Sequence, residues 1–176
     1  MMLVQKETNM FDEIINQVIE IGGLFQTKPI TDAQIEKLEN SLKALNIELP
    51  LEYAEFLYKT NGLYWGGLEF FGSDIVTDKK HGYAITDLIS QNKIYQALNP
   101  RTKKILLGRT DEENFIYNPT TQSYELVDEF SSEIIKTFPL FENLFEYILS
   151  EQIELIQNYV GFNEDEIKDE DTDTDF

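Results

Sequence analysis

The chain contains no cysteine, a single histidine, and fewer than half as many basic as acidic residues. Without cysteine there is no disulfide framework, no thiolate metal site and no cysteine nucleophile. With one histidine, His81, a two-histidine metal site is excluded and a serine–histidine pair has only one possible base. Lys79, Lys80 and Gly82 around it describe an exposed turn, so a surface histidine is the expectation, not a general base. No stretch reaches the roughly 18 uninterrupted apolar residues of a membrane span, and Met1–Thr8 lacks the apolar run of a secretory signal. The one Asn-x-Thr, Asn118-Pro119-Thr120, is blocked for glycosylation by its proline. These absences read as a cytoplasmic chain without a membrane role. Gly22-Gly23 and Gly66-Gly67 lack the lysine and spacing of a phosphate-binding loop.

What is present is acid and aromatic side chains. Thirty-three acids against 14 bases give a formal charge of −19, which repels nucleic acid phosphates and anionic membrane surfaces and argues against either as a partner. Eight acids and one lysine follow Asn163, a net −7, which leaves −12 on the rest. One Trp, nine Tyr and twelve Phe within an apolar content of 41% are far more than a disordered chain carries. At 176 residues, one domain with a real core is expected.

Helical periodicity marks Phe11, Ile14, Ile15, Val18 and Ile19, stopped by Gly22-Gly23, and then Ile35, Leu38, Leu42 and Leu45 after a capping box of Thr31 and Gln34. Pro50 suits the first turn of a third helix carrying Tyr53, Phe56 and Leu57, with Asn61-Gly62 to end it. Strand candidates follow at Leu68–Gly72, Gly82–Ile85, Lys104–Gly108 and Asn114–Tyr117, the last forming a hairpin with Tyr124–Val127. A long helix begins near Leu140 with Phe141, Leu144, Phe145, Ile148, Leu149 and Ile156 on one stripe. Helices flanking a block of strands predict an α+β fold with a central, mostly antiparallel sheet. The expected organisation is an N-terminal helix and connection over 1–30, an α+β domain over 31–160, and an acidic, disordered tail over 161–176.

Glu48-Leu49-Pro50-Leu51-Glu52-Tyr53-Ala54-Glu55-Phe56-Leu57, then Asn61-Gly62, then Glu69-Phe70-Phe71-Gly72, resembles the core motif of the SUKH superfamily. Asn61 through Glu69 is more specifically similar to its YrhA-like branch. The resemblance spans roughly Thr31 to Leu149 and implies an α+β protein with a central sheet. Many bacterial members of that superfamily are immunity proteins that neutralise polymorphic toxins, often nucleases, whereas fungal relatives regulate cell-wall synthesis. Most of the motif has a structural reading: Leu49-Pro50 starts a helix, and Tyr53, Phe56 and Leu57 fill a core.

No catalytic, cofactor-binding or metal-ligating constellation is legible. Asp169, Asp171 and Asp173 imitate the start of a calcium loop, but Thr174 stands where its turn glycine belongs. Trp65 beside Tyr64 on a glycine-flanked turn could be an exposed anchor or could close the core. Asp111-Glu112-Glu113, with Arg109 nearby, concentrates charge on one connection between strands. The expectation is therefore a module binding another protein, a basic toxin domain being the leading choice, through Tyr64, Trp65, Glu69, Asp74, Asp111, Glu112 and Glu113. The alternatives are a regulatory or scaffold protein without a toxin partner, and a hydrolase using Asp111 and Glu113, which requires a pocket converging on those acids.

Overall fold

The computed structural model describes residues 9–168, with side chains through residue 160. Helix α1 (Met10–Ile21) is N-capped by Asn9, whose Oδ1 accepts from the Phe11 amide, and it buries Ile14, Ile15 and Val18. Helix α2 (Asp32–Ala44) carries the capping box: Thr31 Oγ1 accepts from the Gln34 amide at 3.2 Å, and Gln34 Oε1 accepts from the Thr31 amide at 2.9 Å. Helix α3 (Leu51–Lys59) follows Pro50, which is the N-cap and not a residue of the first turn. Its C-cap, Thr60, is extended at φ −152°, so the expected left-handed stop at Asn61-Gly62 is displaced: only Gly62, at +91°, adopts that backbone.

A seven-stranded antiparallel sheet makes the centre, in the order β1-β2-β3-β6-β7-β8-β9. Its strands are β1 (Phe25–Gln26), β2 (Leu63–Trp65), β3 (Leu68–Phe70), β6 (Ile105–Arg109), β7 (Glu113–Asn118), β8 (Ser123–Asp128) and β9 (Ile134–Phe138). A separate hairpin pairs β4 (Val76–Asp78) with β5 (Tyr83–Ile85). Helix α4 (Leu88–Leu98) packs on β6, and α5 (Phe141–Lys168) packs on α1, α3, β8 and β9. The α+β class, the β7–β8 hairpin and the long last helix agree with the sequence. Helix α5 continues past 161, where the acidic tail was expected to begin; residues 169–176, with the calcium-loop imitation, lie outside the described residues.

Four elements carry no strong sequence signal. Strand β1 has two residues, and β4 has a half-exposed pattern without alternation. Strand β9 is an outer strand whose first four residues are all exposed. In α4 only Leu88 and Asn92 are buried, so one of its two inward positions is polar and the apolar stripe is broken. Asn92 earns that place by hydrogen bonding: Nδ2 donates to the Leu88 and Leu106 carbonyls at 2.9 Å each, and Oδ1 accepts from the Leu106 amide at 2.8 Å.

The core is built on aromatic rings. Phe56, Phe70, Phe141 and Phe145 have mutual centroid separations of 5.2–5.9 Å, with Phe115 5.0 Å from Phe70 and Phe11 stacked 4.9 Å from Phe145. The Tyr53 hydroxyl, within this core, lies 2.6 Å from the Phe71 carbonyl oxygen and 2.9 Å from that of Leu107. Burial, assisted by the Glu69 carboxylate, raises its pKa well above the phenol range. Gly108 permits β3 to lie against β6: a methyl there would stand 2.2 Å from the Glu69 carbonyl oxygen.

Candidate functional site

Pairing Glu69 with Arg109 and Glu113 with Asp128 determines where the strand connections emerge. The β2–β3 turn (Gly66-Gly67), the β6–β7 turn and the β8–β9 turn all lie at one end of the sheet. Positive φ at Gly66 (+56°) and Gly67 (+91°) is what a two-residue hairpin needs to match the strand twist. The tips are joined to one another and to α5. The Glu129 amide donates to the Glu112 carbonyl at 2.9 Å, and Gln152 Nε2 of α5 donates to the Gly66 carbonyl at 2.9 Å.

Each acidic turn is held by its own side chains. Thr110 Oγ1 accepts from the amides of Glu112 (3.2 Å) and Glu113 (3.0 Å). Asp128 Oδ1 accepts from the amides of Phe130 (3.0 Å) and Ser131 (2.7 Å), and these bonds, Ser131 first, hold its pKa below the usual carboxylate value. The outcome is a surface with Asp111, Glu112, Glu113, Asp128, Glu129 and Glu133 on two adjoining turns, and Arg109 as the one base from 109 to 113 or 128 to 133.

Two clefts open on these tips. One, of about 340 Å³, runs between the β6–β7 turn and α5 and is lined by Asp111, Glu112, Glu113, Glu151 and Tyr147, with no histidine, lysine or arginine among the described residues of its wall. Desolvation, then repulsion from Glu112, Glu151 and Asp128, raises the pKa of Glu113. The other, of about 530 Å³, lies beyond Asp111 and includes Tyr64, Glu69, Arg109, Glu129 and Phe130.

Of the expected site residues, Asp111, Glu112 and Glu113 therefore stand together, with Tyr64 in the neighbouring cleft. Trp65 is corrected: it is 1% exposed, and its Nε1 donates to the Gly22 carbonyl at 2.9 Å. Alternation along β2 turns Leu63 and Trp65 inward and Tyr64 outward, so Trp65 closes the core and is no anchor. Glu69 is also corrected, being 8% exposed with Oε1 accepting from the amide and hydroxyl of Thr86 and Oε2 3.6 Å from Arg109 Nε. It ties the sheet to the segment after β5. Asp74 is exposed, but lines a different hollow with Gln34 and Lys37 of α2, and its Oδ2 accepts from Ser73 at 2.8 Å. It is not part of the tip surface.

His81 does stand exposed on the β4–β5 turn, with Nδ1 2.6 Å from Asp78 Oδ2 and its ring 5.9 Å from that of Tyr83. The imidazole contact is the main cause of the lowered pKa of Asp78. Sequence reasoning missed Glu129, Phe130 and Glu151. Asp128-Glu129-Phe130-Ser131-Ser132-Glu133 had a turn's composition, but without β9 it was not visible as a hairpin tip. Glu151 comes from α5, over thirty positions away in sequence, and only packing brings it to Glu113.

Among the described residues no group of three or more histidine or acidic side chains is arranged to hold a metal ion, and no helix is long and apolar enough to cross a membrane. No curated protein matches the chain. A family model described as SMI1-KNR4 cell-wall matches residues 32–148, from the first residue of α2 to the middle of the aromatic stripe of α5. With two thirds of its length matched, and with the helix-flanked antiparallel sheet that the resemblance implies, the chain belongs to the SMI1-KNR4 family of the SUKH superfamily.

Proposed function

We propose that this chain is a protein-binding module of the immunity type, which neutralises a cationic toxin domain by covering it with the acidic end of its sheet. The observation that carries the reading is the gathering of six carboxylates and one base on two hydrogen-bonded hairpin tips. Surface charge of one sign, held on rigid turns, steers a cationic partner and fixes its orientation at little cost in ordering. The membership of the family supports a protein-binding role, and the smaller cleft, whose charged lining residues are all acids, supports binding over catalysis. Carboxylates alone could serve a hydrolase, but Glu113 is raised by desolvation and then by repulsion from neighbouring acids, and among the described residues of the cleft no histidine, lysine or arginine stands with it.

The test is association kinetics with a cationic nuclease domain, which this reading expects to be encoded beside the gene. Raising salt from about 0.05 to about 0.5 M should slow association about tenfold or more, because the Debye length falls below the separation at which the tips act. Glu112→Lys and Glu129→Lys should each slow it further at low salt, whereas Asp74→Lys, on the other hollow, should change it little. Equal effects from all three substitutions would show that net charge, and not this surface, directs binding.

A further inference from the structure

Phe130 is 82% exposed at the tip of the β8–β9 turn, where a large apolar ring is not needed to form the turn. Tyr64 reaches the same cleft from the outward face of β2, with its ring 5.0 Å from that of Tyr83. Asp111 and Glu129 stand in the same wall, and among the described residues neither forms an ion pair. Aromatic faces and carboxylates in one open cleft make up a recognition chemistry that differs from charge alone. A guanidinium is flat, stacks on a ring, and keeps its edge N–H groups free to donate to carboxylates; an ammonium has no face to stack.

Two residues that line the cleft, Arg109 and Glu69, already take part in an internal instance of this pairing. The Arg109 guanidinium lies 5.7 Å from the centroid of the Phe71 ring, with Nε 3.6 Å from Glu69 Oε2. Arg109 thereby matches the charge of Glu69 and leaves Asp111 and Glu129 to an incoming cation. We infer that the cleft between the β2–β3 and β8–β9 tips receives an arginine side chain of the partner, stacked on Phe130 and ion-paired with Asp111 and Glu129. This deepens the reading of the tips as a surface for a basic protein and rests on it.

The experiment is a titration of the ¹⁵N-labelled full chain with an oligo-arginine peptide and an oligo-lysine peptide of equal length and capping, at low salt. The arginine peptide should bind about five- to tenfold more tightly and shift the amides of residues 64–69, 109–113 and 128–133. Phe130→Ala, a change at an exposed position, should bring the arginine peptide down to the lysine level, and Phe130→Tyr should restore it. Asp111→Asn with Glu129→Gln should weaken both peptides. If the two peptides bind the tips equally, the arginine inference falls and the basic-partner reading stands. If neither shifts the tips at low salt, both fall.

Discussion

At the scale of single residues, the acids of this chain divide by what surrounds them. Glu125 is 3% exposed, yet Lys104 Nζ stands 2.6 Å from one of its oxygens and Asn118 Nδ2 donates to the other at 2.8 Å, so its charge is matched. Glu113 has neighbours of its own sign and, among the described residues, no ion-pair partner, and its pKa is raised, by desolvation first. A carboxyl whose folded pKa exceeds its unfolded value favours folding when protonated; stability is lost as pH rises through the window between the two. Glu113→Gln should accordingly raise the thermal midpoint at pH 7 by about 1–2 °C, a gain that disappears as pH falls toward the ordinary carboxyl value. Scanning calorimetry across pH 4–8, on the order of one unit per step, checks both parts. Trp65 belongs to the core, and as the single tryptophan it reports on the fold. Trp65→Ala should cost about 3–5 kcal/mol by denaturant unfolding. The native emission should be blue-shifted and unaltered by partner binding, as an exposed anchor would not be.

At the scale of elements, the helices that bury apolar stripes were legible because 3.6-residue periodicity is local. Ile14, Ile15 and Val18 in α1, and Phe141, Leu144, Phe145 and Ile148 in α5, can be read from their spacing alone. Helix α4 was not legible, because its central buried residue is an asparagine that replaces apolar contact with three hydrogen bonds to Leu88 and the β6 backbone at Leu106. Asn92→Ala would leave the amide and carbonyl of Leu106 without that partner, and should cost about 2–4 kcal/mol in urea unfolding. Helicity lost in step with the global transition would show that α4 unfolds with the sheet. Strand β9 was missed for a related reason: as an edge strand with a bulge between its pairings at Ile134 and Lys136 it buries only Phe138, so it lacks the alternation of a half-buried strand.

At the scale of the molecule, a charge of −19 acts on folding and on binding in opposite senses under salt. Self-repulsion among the acids opposes the compact state, whereas attraction to a cationic partner favours the complex. Raising salt from about 0.01 to 0.15 M should therefore raise the thermal midpoint by a few degrees, about 2–4 °C, while slowing association with the same partner. A midpoint insensitive to salt would mean that pairs such as Lys104 with Glu125 already balance the repulsion.

The amino-acid sequence by itself determined the chemistry that the chain lacks, its acidity, its helical stripes, and the motif from Glu48 to Gly72 that carries the family, since each of these is composition or short-range pattern. Only the tertiary structure decided which acids act together. Asp111 and Glu113 meet Glu129 and Glu151 because antiparallel register brings two turns to one end of the sheet and α5 crosses beside them. The same register separates them from Asp74, and strand alternation sends Trp65 inward beside an outward Tyr64. Long-range pairing, and not local preference, sets those positions, which is why the surface could be named as acidic from the sequence but located only in the fold.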